Sequence, residues 1–312
     1  MLEILILAGV LPATLCANET QTLVATANRI ETAYILEDVA SRVADQLRVM
    51  ANERPVAATC RPKEDFAKAL TKTLRTISGD GHFYIESQTK EENTNWIGTW
   101  RASGFERGQG VTHVEILDGN IGYIRIKSFY ELEPAFPHYR AAFDMVAGTT
   151  ALILDFRSNH GGSPQTAWPL QWTFLKPGSP SPTTMESRLE NSEPREEPAV
   201  LWQRYGTERP VAVLTNSDTF SAPESVAFAL QTTGRATVVG EISGGGAHLP
   251  DDGIDLLTGF ILYTPTQRPI SVATGKNWES TGIRPDIRVP SAQAVETAAR
   301  YLRIGSKNDA HE

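Results

Sequence analysis

Ser221 opens the stretch Ser221-Ala222-Pro223-Glu224, between an apolar run, VAVLTN, and an apolar helical pattern, SVAFALQ. A serine followed three residues later by glutamate is a helix capping box. The same turn also suits a nucleophile, because a helix N-terminus offers free amides and a favourable dipole to a developing oxyanion. A serine hydroxyl is barely ionised at neutral pH and needs a neighbouring base. Imidazole titrates near neutrality and can accept and return a proton. His82, in 78-SGDGHFYIE-86, and His248, two residues after Gly246, are therefore candidates. Lys276 is a third, provided that it is desolvated. In 151-ALILDFRSNHGGSPQ-165 a strand-like run meets Gly161-Gly162, where the missing side chains let backbone amides approach an anion. A plain strand–turn–helix connection accounts for these glycines equally well.

Other chemistries find little in the chain. The histidines are His82, His113, His138, His160, His248 and His311, none at HExxH spacing, and Cys16 and Cys60 form no ligand pair, so no metal site is expected. There is no GxxxxGK[ST] phosphate loop, and Gly244-Gly245-Gly246 lacks the rest of a dinucleotide fingerprint. No cofactor is expected. A net charge of -8 over 312 residues argues against nucleic acid and anionic membrane surfaces as partners, since both recruit Lys and Arg.

The elements that must position these residues fall into two styles. In NRIETAYILEDVASRVADQLRVM and KEDFAKALTKTLRTI the apolar residues recur at three- and four-residue steps, which predicts a small helical bundle. From about residue 83 strand-like runs dominate: HFYIES, VTHVEIL, IGYIRIKSF, ALILDFR, VAVLTN, ATVVGEI and GFILYTP. Helical segments alternate with several of them, which argues for α/β layering. The Pro- and Ser-rich stretch KPGSPSPTTMESRLENSEPREEP reads as a surface loop, or as a flap or strand arm bordering a cleft. The apolar N-terminal segment resembles a secretory signal peptide rather than a membrane span. Its removal would leave Cys60 alone, with no intramolecular disulfide.

Taken in order, IGYIRIKSF, LILDFRSNHGG, VLTNSDTFSAPE, VVGEISGGGAH and WESTGIRPDIRV resemble the tail-specific (C-terminal processing) serine peptidase family. The branch they resemble contains interphotoreceptor retinoid-binding protein and the tricorn core protease. The resemblance spans roughly residues 28 to 305. It implies a crotonase-like α/β core with a helical N-terminal cap and a serine nucleophile at Ser221. It implies an oxyanion hole from the Ala222 amide and one from the Gly161-Gly162 turn, with Gly245 and His248 lining the oxyanion or substrate site. Well-known members take their base from a lysine in a GExTxGKG motif, but here that position is Gly246. The tricorn-like branch instead implies His82 as base and Glu279 as the carboxylate that orients it. The residue before the histidine, a serine in the tricorn protease, is Gly81. About 30 residues separate His82 from the next core strand, too few for a PDZ module at the small end of domain sizes.

The expected organisation is a signal peptide over 1–20, a helical domain over 21–82, connecting strands over 83–116 and a peptidase core over 117–306. The expected function is hydrolysis of peptide or protein substrates through a Ser-His-Glu arrangement. The exported protein would be periplasmic or secreted, without stable membrane insertion after processing; without a genuine signal peptide it would be cytoplasmic. Oligomeric state is not legible. A binding protein for a lipophilic ligand is the competing reading, because fold does not fix function. Acyl-thioester chemistry of the crotonase kind is a third, which the serine turn and the closing WESTGIRPDI island disfavour.

Overall fold

The computed structural model describes residues 18–53, 61–88, 103–190 and 196–308. The chain divides into two compact units, one built from residues 1–93 with 249–267 and the other from 94–248 with 268–312. Cys16, Cys60 and most of the signal-like segment lie outside the described residues.

In the first unit, α1 (Glu19–Ala33), α2 (Glu37–Asn52) and α3 (Lys63–Ser78) bury the residues that the helical spacing selects, among them Ile30, Val43, Leu47, Phe66, Leu70 and Leu74. Gly79, at φ 76, ends α3 in the left-handed conformation that glycine adopts without a Cβ penalty. The chain then enters β1 (Tyr84–Ser87), which pairs antiparallel with Phe260–Tyr263. That distant hairpin packs into the helical core, where the Phe66 and Phe260 rings lie 5.5 Å apart. Phe260 and Leu262 are fully buried against the helical residues, and burial of that face assigns 249–267 to this unit.

The second unit is organised on a six-stranded sheet. Its strands are β2 (Val111–Leu117), β3 (Ile121–Ile126), β4 (Ala151–Asp155), β5 (Val211–Thr215), β6 (Thr237–Gly240) and β7 (Ile287–Arg288). They lie in sequence order from one edge to the other, all parallel except β2, which pairs antiparallel with β3. Parallel neighbours need crossover connections. These include α4 (Leu132–Met145), α5 (Pro164–Trp172) and α6 (Ala222–Thr232). Side chains alternate between faces. Leu152 and Leu154 of β4 join a core with residues of α4, α5 and α6, whereas Ala151 and Ile153 join a second core beneath α7 (Ala294–Asn308). Burial on both faces explains why ALILD and VAVLT read as unbroken apolar runs. The Pro- and Ser-rich stretch contains a short strand, Thr183–Ser187. Among the described residues no helix is long and apolar enough to cross a membrane.

The polar end of β4 carries a buried ion pair. Asp155 is fully buried and accepts from Arg157 Nη2 at 2.6 Å, Arg157 Nε at 2.8 Å and the Tyr123 hydroxyl at 2.6 Å. Arg157 Nη1 also donates to the Ser291 carbonyl, just ahead of α7. Burial alone would raise the Asp155 pKa, but the hydrogen bonds from Arg157 and Tyr123 and the Arg157 charge outweigh it and hold the group below its ordinary value. A depressed carboxyl pKa contributes stability above the unfolded-state value, about 3.9 for Asp, and that stability is lost as pH falls through the folded value. Asp155→Asn should therefore destabilise the fold by about 3–5 kcal/mol, the cost of stripping one partner from a buried pair. Urea titrations should also show a weaker dependence of stability on pH below about pH 4 than in the wild type.

Candidate active site

In a parallel sheet, ligands bind beyond the carboxyl ends of the strands. In the second unit the loops after β4, β5 and β6 leave those ends and carry three of the sequence islands. The loop after β5 is closed by Thr219, whose hydroxyl donates to the Phe156 carbonyl at 3.0 Å and accepts from the Asn216 amide at 3.0 Å. The Phe220 amide donates to the Asn159 carbonyl at 2.9 Å. Ser221 follows at φ 70 and ψ -118, a backbone conformation that residues with a Cβ rarely adopt. It caps α6, and Pro223 is placed early in the helix, where its missing N–H costs nothing.

The strained turn is held by Glu224. Its Oε2 accepts the Ser221 amide at 2.7 Å, the carboxylate half of the predicted capping box. Glu224 is fully buried, which a surface cap is not. The same carboxylate accepts from Ser243 Oγ at 2.5 Å and from the Gly245 and Gly246 amides, each at 2.8 Å. Burial raises its pKa, and these four donors oppose the rise. Ser243 Oγ also accepts the Ile283 amide at 2.7 Å. The Ser280 amide donates to the Gly245 carbonyl at 2.8 Å, and the Trp278 indole donates to the Gly246 carbonyl at 3.0 Å. The segments 239–250 and 274–290 are thereby stitched together. The next two amides turn to a second carboxylate: Ala247 and His248 donate to Glu279 Oε2 at 2.6 and 3.1 Å. Four successive amides, 245 to 248, thus divide between Glu224 and Glu279.

The two glycines of the β4 loop part company. The Gly161 amide donates to Asn159 Oδ1 at 2.9 Å and is unavailable to an oxyanion. Gly161 matters for space instead: a Cβ there would lie 3.0 Å from Ser221 Cβ and 3.4 Å from Ser221 Oγ. Gly162 is exposed at φ 131, and a Cβ would meet the Phe129 carbonyl oxygen at 2.0 Å. Among the described residues neither the Gly162 amide nor the Ala222 amide has an acceptor. The Gly245 amide is bound to Glu224, so Gly245 is a brace rather than an oxyanion donor.

The candidate bases differ in surroundings. His248 is buried, with Nδ1 3.8 Å from Glu279 Oε2 and its side chain 1% exposed. Lys276 is exposed and lacks the desolvation that a lysine base requires. His82 belongs to the first unit. Its amide donates to Asp80 Oδ1 at 2.8 Å, its Nδ1 lies 3.8 Å from the same oxygen, and its side chain is 11% exposed. Asp80 is buried and accepts from the Tyr34 hydroxyl at 3.1 Å. Asp80-Gly81 forms a turn in which the aspartate accepts from the amide two residues on.

A family model described as peptidase family S41 matches residues 120–289. A carboxy-terminal-processing protease of Bartonella bacilliformis is 32% identical over 186 residues, covering 55% of this chain and 39% of its own. The chain thus spans about two fifths of the length of that curated relative. Among solved structures, a lipoprotein from Streptococcus agalactiae superposes with a TM-score of 0.63 at 18% identity, covering 97% of this chain and 99% of its own. The photosystem II D1 C-terminal processing protease superposes with a TM-score of 0.57 at 14% identity, covering 92% and 98%. These two likenesses concern the fold.

Glu224 is the residue whose importance the sequence understated. Glu224→Gln replaces an oxygen by a donor and sets an NH2 group against at least one of the three amides. A buried donor left without an acceptor costs about 1–3 kcal/mol. Chemical denaturation should show that loss, and Ser243→Ala, which leaves the Ile283 amide without its acceptor, should show a loss within the same range.

Proposed function

The chain belongs to peptidase family S41, and we propose that it is a serine peptidase with Ser221 as its nucleophile. The carrying observation is the Ser221 turn. A buried carboxylate consumes the serine's own amide, while among the described residues the Ala222 and Gly162 amides are left without acceptors. Such amides serve an oxyanion, since donors fixed before reaction need no reorganisation when charge develops.

In the proposed reaction Ser221 Oγ attacks the scissile carbonyl carbon and its proton passes to His82. The carbonyl oxygen becomes an oxyanion held by the Ala222 and Gly162 amides. Collapse breaks the C–N bond, and the imidazolium returns its proton to the leaving amine. Water then enters by the same base and releases the acyl group, regenerating the hydroxyl. Glu279 stabilises the imidazolium. His82 is favoured over His248 by its greater exposure and by the resemblance of GDGH and WEST to the His and Glu motifs of the tricorn-like branch. A crotonase-like core without a PDZ module belongs to the same reading.

Labelling with a fluorophosphonate serine probe tests this. Wild type should label, Ser221→Ala should not, and His82→Ala should label at least about 100-fold more slowly, the scale of general-base assistance. His248→Ala should retain most of the rate. Labelling that survives in Ser221→Ala removes the nucleophile assignment. No labelling of folded protein between about pH 6 and 9, the range over which a histidine base changes charge, would replace the peptidase with a binder of lipophilic ligands.

A further inference from the structure

Asn159 lies in the loop after β4 and is fully buried. A buried amide side chain has to find its hydrogen-bond partners inside the protein. Each of the four polar groups of Asn159 reaches a different residue. Its Nδ2 donates to the Ile126 carbonyl at the end of β3, 3.0 Å away. Its Oδ1 accepts the Gly161 amide at 2.9 Å. Its own amide donates to the Phe156 carbonyl at 3.1 Å, and its carbonyl accepts the Phe220 amide at 2.9 Å. These partners fix the orientation of the side-chain amide, which must turn its acceptor to Gly161 and its donor to Ile126.

Asn159 thereby acts on the Ser221 turn twice, through direction and through distance. The Gly161 carbonyl accepts from the Phe129 amide at 2.9 Å and from Ser128 Oγ at 3.3 Å, so it points at the chain that continues β3. A trans peptide unit holds its C=O and N–H on opposite sides. The Gly162 N–H therefore points away from that chain, and among the described residues nothing accepts it. Gly161 is held on both sides of its Cα: its amide by Asn159, its carbonyl by residues 128 and 129. The Phe220 bond draws the residue before Ser221 onto the same loop, where a Cβ on Gly161 would lie 3.0 Å from Ser221 Cβ.

We propose that Asn159 is a positioning residue of the oxyanion site: it aims the Gly162 amide and sets its separation from Ser221. The proposal rests on the reading of Ser221 as nucleophile with the Gly162 amide as an oxyanion donor. A misplacement of about 1 Å can cost about 100-fold in rate, so the loss of one side-chain bond should be visible in the reaction of the serine.

Asn159→Asp separates positioning from packing, because it keeps the shape and titrates. Protonated, the acid donates to Ile126 and accepts from Gly161 as the amide does. Ionised, it sets a carboxylate oxygen against the Ile126 carbonyl. Its four partners are backbone groups; Arg157, the nearest cation along the chain, is bound to Asp155, and His160 is exposed. Burial and the facing carbonyl disfavour the charge and raise the pKa. The wild-type bonds are then present below the raised value and lost as pH rises through it. Fluorophosphonate labelling, per molecule folded by circular dichroism, should be at least about tenfold slower than wild type at about pH 8. The deficit should shrink towards about pH 5.5, even though a histidine base slows the wild type there. Asn159→Ser can accept the amide two residues on but is too short to reach Ile126. It should label faster than Asn159→Ala and slower than wild type, which decides the matter where the aspartate variant does not fold. Wild-type rates in Asn159→Asp, a deficit unchanged with pH, or equal rates in the serine and alanine variants overturn the proposal. Labelling that is absent from wild type, or that survives in Ser221→Ala, overturns the nucleophile reading and the role of Asn159 with it.

Discussion

A carboxylate sealed from water must find donors inside the protein, and Glu224 finds four. The site depends on that requirement. Ser221 can stay at φ 70 because the Glu224 side chain reaches back three residues to its amide. The loop after β6 can run as three glycines because two of its amides have a fixed acceptor. Without the carboxylate those amides would be buried without partners, each at a cost of about 1–3 kcal/mol. The strain at Ser221 is thus over-determined by its surroundings, the condition under which strained backbone persists at functional sites.

The sheet supplies the frame on which this acts. β3 to β6 lie in sequence order and parallel, so the loops after β4, β5 and β6 all leave from the same end. Ser221, Gly161 and Ser243 therefore need no long excursions to share one region. The same end carries Asp155 and Arg157, which point to the opposite face and tie the start of α7 to the sheet. One end of the sheet thereby serves the candidate active site on one face and structural anchoring on the other.

Much of this was legible because period is a physical signal. The runs of β4 and β5 read as strands because both faces are buried, and the first three helices read as helices because one face is. What stayed hidden depends on contacts between segments far apart in sequence. GFILYTP looked like one more core strand, yet Phe260 and Leu262 are buried against helices some 200 residues upstream. Gly161 and Gly162 look equivalent in the sequence; the Asn159 side chain separates them by taking one amide and leaving the other. His248 is buried beside Glu279, which nothing in its local sequence shows. Glu224 matched a capping box so well that its burial was not anticipated, because no local pattern shows that the amides of 245 and 246 turn inward.

The ribbon from Gly245 to His248 connects the two carboxylates that matter. Its first two amides bind Glu224, which braces the Ser221 turn, and its last two bind Glu279. The two pairs are centred two residues apart, at most about 7 Å of chain. In the proposed Ser-His-Glu set the orienting carboxylate must be far enough from the serine for an imidazole to reach both, and close enough to contact it. A ribbon that grips both carboxylates by adjacent amides fixes their spacing through backbone alone. That gives a reason for Gly246 where better-known members of the family have lysine: on the proposed reading this stretch works as a spacer between carboxylates, and the base is supplied from elsewhere in the chain.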